Sequence, residues 1–169
     1  AKGAKIHMET VVDHIDFEKK EVHAVTNDGE TIVESYDKVV IATGSVPISP
    51  KVPGRDLKNI HFLKKFQDGQ TVDKELASED VKNVAVIGAG YIGVEIAEAA
   101  KRRGKNVLLF DAATRALPNY YDKWFTEDMD KNLADNGIEL HFGELAREYK
   151  GTEKVEAVVT DNGEYPVDL

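Results

Sequence analysis

Three glycines occur in the run Gly88-Ala89-Gly90-Tyr91-Ile92-Gly93, directly after the apolar stretch Val84-Ala85-Val86-Ile87 and at the head of a stretch with helical periodicity. Glycines by themselves carry little information, but between a strand and a helix they are the parts of a phosphate cradle. Gly88 makes the tight turn, Gly90 lets the main chain approach a pyrophosphate, and Gly93 permits close contact between helix and strand. The phosphates then meet free N–H groups and the partial positive charge at the helix N-terminus, which predicts a bound dinucleotide. Asp111 ends the next apolar run, 23 residues after Gly88. A carboxylate there accepts hydrogen bonds from the adenosine 2′-hydroxyl and repels a 2′-phosphate, so NAD(H) is expected rather than NADP(H). Arg115 is the residue that argues the other way, unless it binds backbone or the helix beyond.

The elements that position these residues read as βαβαβ over 84–142. Val84–Ile87, Val107–Phe110 and Ile138–Phe142 are short apolar or alternating runs, as expected for strands. A helix from Tyr91 carries Ile92, Ile96 and Ala99 or Ala100 on one face. Glu98 and Arg102 pair at i,i+4 on the other, and Gly104 closes it. A second helix over 122–136 spaces Phe125, Met129 and Leu133 by four and ends at Gly137. The flanks are meanders, with Asn27-Asp28-Gly29 and Asp161-Asn162-Gly163 as turns. The proline-rich stretch Ser45–Gly54 cannot sustain a ladder and reads as a crossing between domains. The expected fold is α/β: a Rossmann-like parallel sheet with a β-meander, plus a flanking β-rich piece. The expected divisions are 1–45, a partial meander with a closing strand at 38–44; 46–80, a crossover linker; and 81–169, the dinucleotide-binding domain with its last strand truncated.

An internal repeat supports this division. Ile6-His7-Met8-Glu9, Val22–Glu30 and Tyr36-Asp37 recur as Leu140–Glu144, Val155–Glu164 and Val167-Asp168, almost without gaps. The chain thus contains parts of two similar modules. The first continues into Lys38–Gly44 where the second stops at Leu169, and the second is preceded by a glycine fingerprint that the first lacks. Both ends are therefore expected to be cut from a larger protein.

Composition narrows the partners. A net charge of −9 opposes nonspecific binding to nucleic acid or to an anionic membrane. No window reaches the roughly 20 apolar residues of a membrane span, and the N-terminus lacks a signal-peptide core. The basic run Lys101–Arg103 with Lys105 reads as the end of a helix, where cations favour its dipole. The absence of cysteine excludes disulfides and thiolate chemistry in this chain and suits a cytoplasmic location. The five histidines never reach metal-ligand spacing, so no metal site is expected. Glu127–Asp130 reads as the solvated face of a helix around Met129.

Val39–Ser45, Pro53–Ile60 and the longer fingerprint Val86–Glu95 resemble the FAD-dependent pyridine nucleotide-disulfide oxidoreductases, and within them the NADH oxidase and NADH peroxidase branch. Phe62–Gln70, Ala97–Gly104, Leu108–Asp111 and Tyr120–Phe125 look like the oxidases in particular. The resemblance implies an FAD domain, an inserted NAD domain sharing its meander, and a homo-oligomeric parent. It also implies site residues. Ala42, Thr43, Gly44 and Ser45 match the strand end that touches FAD, and Lys64 matches a basic position beside the flavin nucleotide. Gly88, Ala89, Gly90, Gly93, Ile92, Asp111 and Tyr120 match the NAD site. Tyr91 matches an aromatic residue that covers the flavin until nicotinamide displaces it, and Glu95 matches a carboxylate near the flavin.

The departures define what is left. The family's first glycine fingerprint, which holds the ADP part of FAD, is missing, and so is the cysteine that cycles between thiolate and sulfenic acid. No catalytic residue is therefore expected in this chain, which keeps the positioning half of an enzyme passing hydride from NADH to flavin and on to O2. Two alternatives stay open: a CoA-disulfide reductase or NADH peroxidase as parent, or a non-catalytic NAD-binding module.

Overall fold

A computed structural model describes residues 3–169; the first two residues of the expected N-terminal piece lie outside them. The chain forms two compact units, Ala1–Ser45 and Val46–Leu169. The first carries β1 (Thr10–Asp16), β2 (Glu21–Thr26) and β3 (Thr31–Ser35). The second carries α1 (Phe66–Ala77), β4 (Asn83–Ile87), α2 (Tyr91–Arg102), β5 (Asn106–Asp111), α3 (Lys123–Asp135), β6 (Ile138–Phe142), β7 (Ala146–Lys150), β8 (Ala157–Thr160) and β9 (Glu164–Pro166).

The first unit is an antiparallel meander in the order β1-β2-β3. Its second turn closes where Gly29, at φ +84, donates its N–H to the Thr26 carbonyl (2.9 Å). The sheet is a single layer, so Val11, Val12 and Val33 stay exposed while Ala24 is buried. One expectation is corrected here. Residues 38–44, expected as a closing strand, lie outside any strand, with Val40 and Ile41 exposed. An apolar run becomes a strand only where a neighbour supplies ladder partners and cover, and within this unit the meander supplies neither. The sheet begins only after Glu9 at φ 52, so His7 precedes it.

The second unit is built on a parallel sheet in the order β4-β5-β6, with Val84 opposite Val107 and Leu109 opposite Leu140. Central β5 is buried on both faces, as its unbroken apolar run requires. Val107 and Leu109 face a core shared with Val72 and Leu76 of α1, Ala97 and Ala100 of α2, and Leu133 of α3. Leu108 and Phe110 face a second core with Tyr149, Val158 and Val167. Helices therefore cover one side of the sheet and the meander β7-β8-β9 the other. Both meanders have a bulge, between Val12 and His14 and between Ala146 and Glu148, at positions that superpose when His7 is aligned with His141.

Helix α1 lies in the stretch read as a crossover. Its start is fixed by Asp68, whose carboxylate accepts the N–H groups of Lys64 (3.0 Å) and Lys65 (2.7 Å). Its buried stripe is only Val72 and Leu76, too narrow to stand out in a segment with Gly69 in its first turn. On α2 the buried positions are Ala97 and Ala100, while Ile92 is exposed; on α3 Thr126 is buried in place of Phe125. Three members of the basic run have local partners. Arg102 pairs with Glu98 (2.6 Å), Arg103 with Asp73, and buried Lys105 donates to the carbonyls of Ser78 and Val81 (2.7 Å each).

Candidate dinucleotide site

The three glycines of the β4–α2 turn have three different reasons to be glycine. Gly88 takes φ +107, a conformation that L side chains rarely adopt, and donates its N–H to the Phe110 carbonyl (2.7 Å). Gly93 packs against the turn itself: a Cβ there would stand 1.7 Å from the Gly88 carbonyl oxygen. Gly90 has ordinary extended backbone (φ −77, ψ −172), and a Cβ there would meet nothing within 4 Å. Nothing in the free chain requires glycine at this position. The helix ladder opens with the Val94 N–H donating to the Gly90 carbonyl (3.0 Å), so the N–H groups of the first turn have no helical acceptor.

Asp111 braces this turn. One carboxylate oxygen accepts the Ala89 N–H (2.6 Å) and the other the Ala113 N–H (2.7 Å). Ala89 is fully buried, and its carbonyl accepts the Leu117 N–H (2.9 Å). A carboxylate has about four lone-pair sites, so two bonds leave acceptor capacity for a ribose hydroxyl. Arg115 turns to the main chain of its own loop, with Nη2 3.4 Å from the Pro118 carbonyl and a buried Nε that has no protein partner. Beside it, Asp130 accepts the Ala116 N–H (3.0 Å), and burial pushes its carboxyl above the usual range despite that bond.

Three tyrosines gather at the mouth of the turn. The rings of Tyr91 and Tyr120 lie 4.4 Å apart at a tilt of 56°, and Tyr121 meets Tyr91 edge-on at 6.2 Å. The Tyr91 hydroxyl donates to that of Tyr121 (3.0 Å). Tyr91, Ile92 and Tyr120 line, with Gly88, Gly90 and Phe62, a largely apolar cleft of about 730 Å³. Lys64 lines a shallow depression of about 580 Å³ that shares Ile92 with this cleft.

The structure thus brings Gly88–Gly93, Asp111 and Tyr120 into one site, with Lys64 lining the neighbouring depression. Glu95 is exposed on α2, and Ala42–Ser45 are exposed in the first unit, with Gly44 at φ +75. Tyr121 is the residue that sequence reasoning passed over; its adjacency to Tyr120 was the available signal. Among the described residues there is no cluster of three or more metal-ligating side chains, and no helix is long and apolar enough to cross a membrane.

A glycine turn between a parallel strand and a helix, braced by an acid at the end of the next strand, defines a Rossmann-type nucleotide-binding unit. The chain belongs to the pyridine nucleotide-disulphide oxidoreductase family, which it matches over residues 1–169. It is 61% identical over 171 residues to an NADH oxidase of Lactococcus lactis subsp. cremoris (strain MG1363), covering 100% of this chain and 38% of that protein. It is 33% identical over 168 residues to an NAD(P)H coenzyme A polysulfide/persulfide reductase of Pyrococcus horikoshii, covering 99% and 37%. Its fold is similar to the water-forming NADH oxidase from Lactobacillus brevis bound to NADH, with a TM-score of 0.82 and 35% identity over 95% of this chain and 35% of that one. The chain spans less than two-fifths of the length of these relatives.

Proposed function

We propose that this chain is the NAD(H)-positioning portion of an FAD-dependent NADH oxidase. The observation that carries the reading is the empty space beside Gly90, where a Cβ would touch nothing and where a pyrophosphate would reach the first-turn N–H groups of α2. Asp111 holds the turn in shape from below and offers its remaining lone pairs to the adenosine ribose, which favours NAD(H) over NADP(H). Arg115, engaged with its own loop, leaves that preference standing.

In the proposed parent, FAD would supply the redox chemistry, taking up hydride from NADH for delivery of electrons to O2. The share of the residues in hand is binding, orientation and exclusion of water. Tyr91, Ile92 and Tyr120 give the cleft an apolar lining, in which a nicotinamide ring is held away from solvent. Lys64 and Ala42–Ser45 are assigned to the flavin side, as the resemblance implies. The 61% identity to an NADH oxidase, against 33% to the CoA-linked reductase, favours O2 as final acceptor.

The test is titration of the purified chain with NADH and with NADPH, followed by nucleotide fluorescence. Saturable NADH binding with weaker NADPH binding is expected, and Asp111→Ala narrows that ratio. Binding of neither nucleotide, or a preference for NADPH, refutes the reading.

A further inference from the structure

Glu144 is a buried acid that the reading above leaves without a task. Its carboxylate joins three strands. One oxygen accepts the hydroxyls of Thr160 in β8 (2.7 Å) and Tyr165 in β9 (3.2 Å), and the other lies 3.2 Å from Nδ1 of buried His141 in β6. His141 is fixed in turn, stacked on Phe110 of β5 at 4.6 Å, with Nε2 2.9 Å from Glu139. The main chain of the same turn reaches the segment that presents Asp111. The Glu144 N–H donates to the Asp111 carbonyl (3.1 Å), and the Gly143 N–H donates to the Ala113 carbonyl (2.8 Å). Both ends of the segment 111–113 are therefore tied to residues 143 and 144. From that segment the Asp111 carboxylate accepts the Ala113 N–H and reaches across to the Ala89 N–H of the glycine turn.

We infer that Glu144 is a positioning residue for ribose recognition: its carboxylate anchors the turn at 143–144, and that turn sets where the Asp111 carboxylate stands. The inference rests on the proposed NAD(H) site and adds to it a residue that acts, through Asp111, on the choice between NADH and NADPH. Removing the carboxylate deprives the Thr160 and Tyr165 hydroxyls and the His141 nitrogen of their shared partner, and the turn loses its hold on 111–113. A recognition geometry has to be held within about 0.5 Å, so a small shift of Asp111 weakens its bonds from the 2′-hydroxyl of NADH. NADPH, whose 2′-phosphate the Asp111 carboxylate repels, loses nothing by the same shift. Full loss of a hydrogen bond to a charged group costs about tenfold or more in affinity, and a misplaced partner costs part of that, about three- to tenfold.

The test is titration with NADH and with NADPH of the parent chain, Glu144→Ala, Glu144→Gln, Asp111→Ala and the double variant Asp111→Ala/Glu144→Ala. Glu144→Ala is expected to narrow the ratio of NADH to NADPH affinity by about three- to tenfold. Glu144→Gln is expected to restore the ratio to within about twofold of the parent, since its amide oxygen accepts from Thr160 and Tyr165 and its amide nitrogen faces His141. In the double variant the change at Glu144 adds nothing to the ratio, because its effect passes through Asp111. A residue that serves only the fold would weaken both nucleotides alike. Where Glu144→Ala does not fold, Tyr165→Phe takes its place in both proteins: it removes one bond to the carboxylate and is expected to narrow the ratio by about two- to threefold. An unchanged ratio in the folded variant, a ratio that Glu144→Gln leaves as narrow as Glu144→Ala does, or further narrowing in the double variant overturns the role of Glu144 alone. If the parent chain binds neither nucleotide, the NAD(H) reading falls and this inference with it.

Discussion

Replacing Gly90 with alanine separates what the fold needs from what the ligand needs. In the free chain the substitution is benign: the backbone is extended, and the new Cβ has no heavy atom within 4 Å. Alanine also lowers the entropy of the unfolded chain, so stability is expected to be unchanged or to rise by about 0.4–1 kcal/mol. With a pyrophosphate on the first turn of α2, the same methyl group occupies the approach. The phosphate must retreat by roughly the radius of a methyl group, on the order of 2 Å, which stretches its bonds to the amides beyond useful length. Loss of one charge-assisted hydrogen bond costs about 1.5–3 kcal/mol, so NADH affinity is expected to fall at least about tenfold, and a hundredfold if two are lost. Calorimetric unfolding and NADH titration on the same preparation give both numbers. An alanine variant that binds NADH like the parent would show that the phosphates do not sit on this turn, and the assignment of the site would fail. A variant that unfolds early would show that the space is needed by the protein itself.

Gly93→Ala reverses this pattern. Its Cβ would lie 1.7 Å from the Gly88 oxygen, so α2 must move from β4 by roughly 1.5 Å to restore contact distance. Thermal unfolding is expected to show a loss of at least about 2–3 kcal/mol, accompanied by loss of NADH binding. Lys105→Met leaves the Ser78 and Val81 carbonyls without their donor, and urea denaturation is expected to report about 2–3 kcal/mol of lost stability. Glu144 links β6 to the second meander: it accepts hydrogen bonds from Thr160 (2.7 Å) and Tyr165 (3.2 Å) and lies 3.2 Å from His141 Nδ1. Burial would raise its pKa, but hydrogen bonds from Thr160, Asn162 and His141 outweigh it and hold the carboxyl below its ordinary 4.5. A depressed folded-state pKa stabilises above the unfolded value, and that contribution is lost as pH falls through the folded one. The melting temperature is therefore expected to drop below about pH 4.5, and less steeply in Glu144→Gln; identical pH profiles would contradict this.

The sequence by itself determined the βαβαβ order, the three glycines and the acid at position 111, because each is a local requirement. The Val107–Phe110 run of β5 is apolar since both faces are covered, and α2 and α3 end at Gly104 and Gly137, which take φ +76 and +77. The repeat was also legible, because both meanders use the same turn chemistry and carry a bulge at matching positions. What the tertiary structure decided was everything that depends on distant neighbours. Residues 38–44 have the composition of a strand, but a ladder partner is not a property of the segment that needs it. Helix α1 exists because two residues, Val72 and Leu76, find a core made elsewhere. The separation of the glycines into one that turns, one that packs and one that faces empty space required the atoms around each of them. So did the place of Tyr121, which sequence sets beside Tyr120 but which only the fold brings to the hydroxyl of Tyr91, thirty positions away.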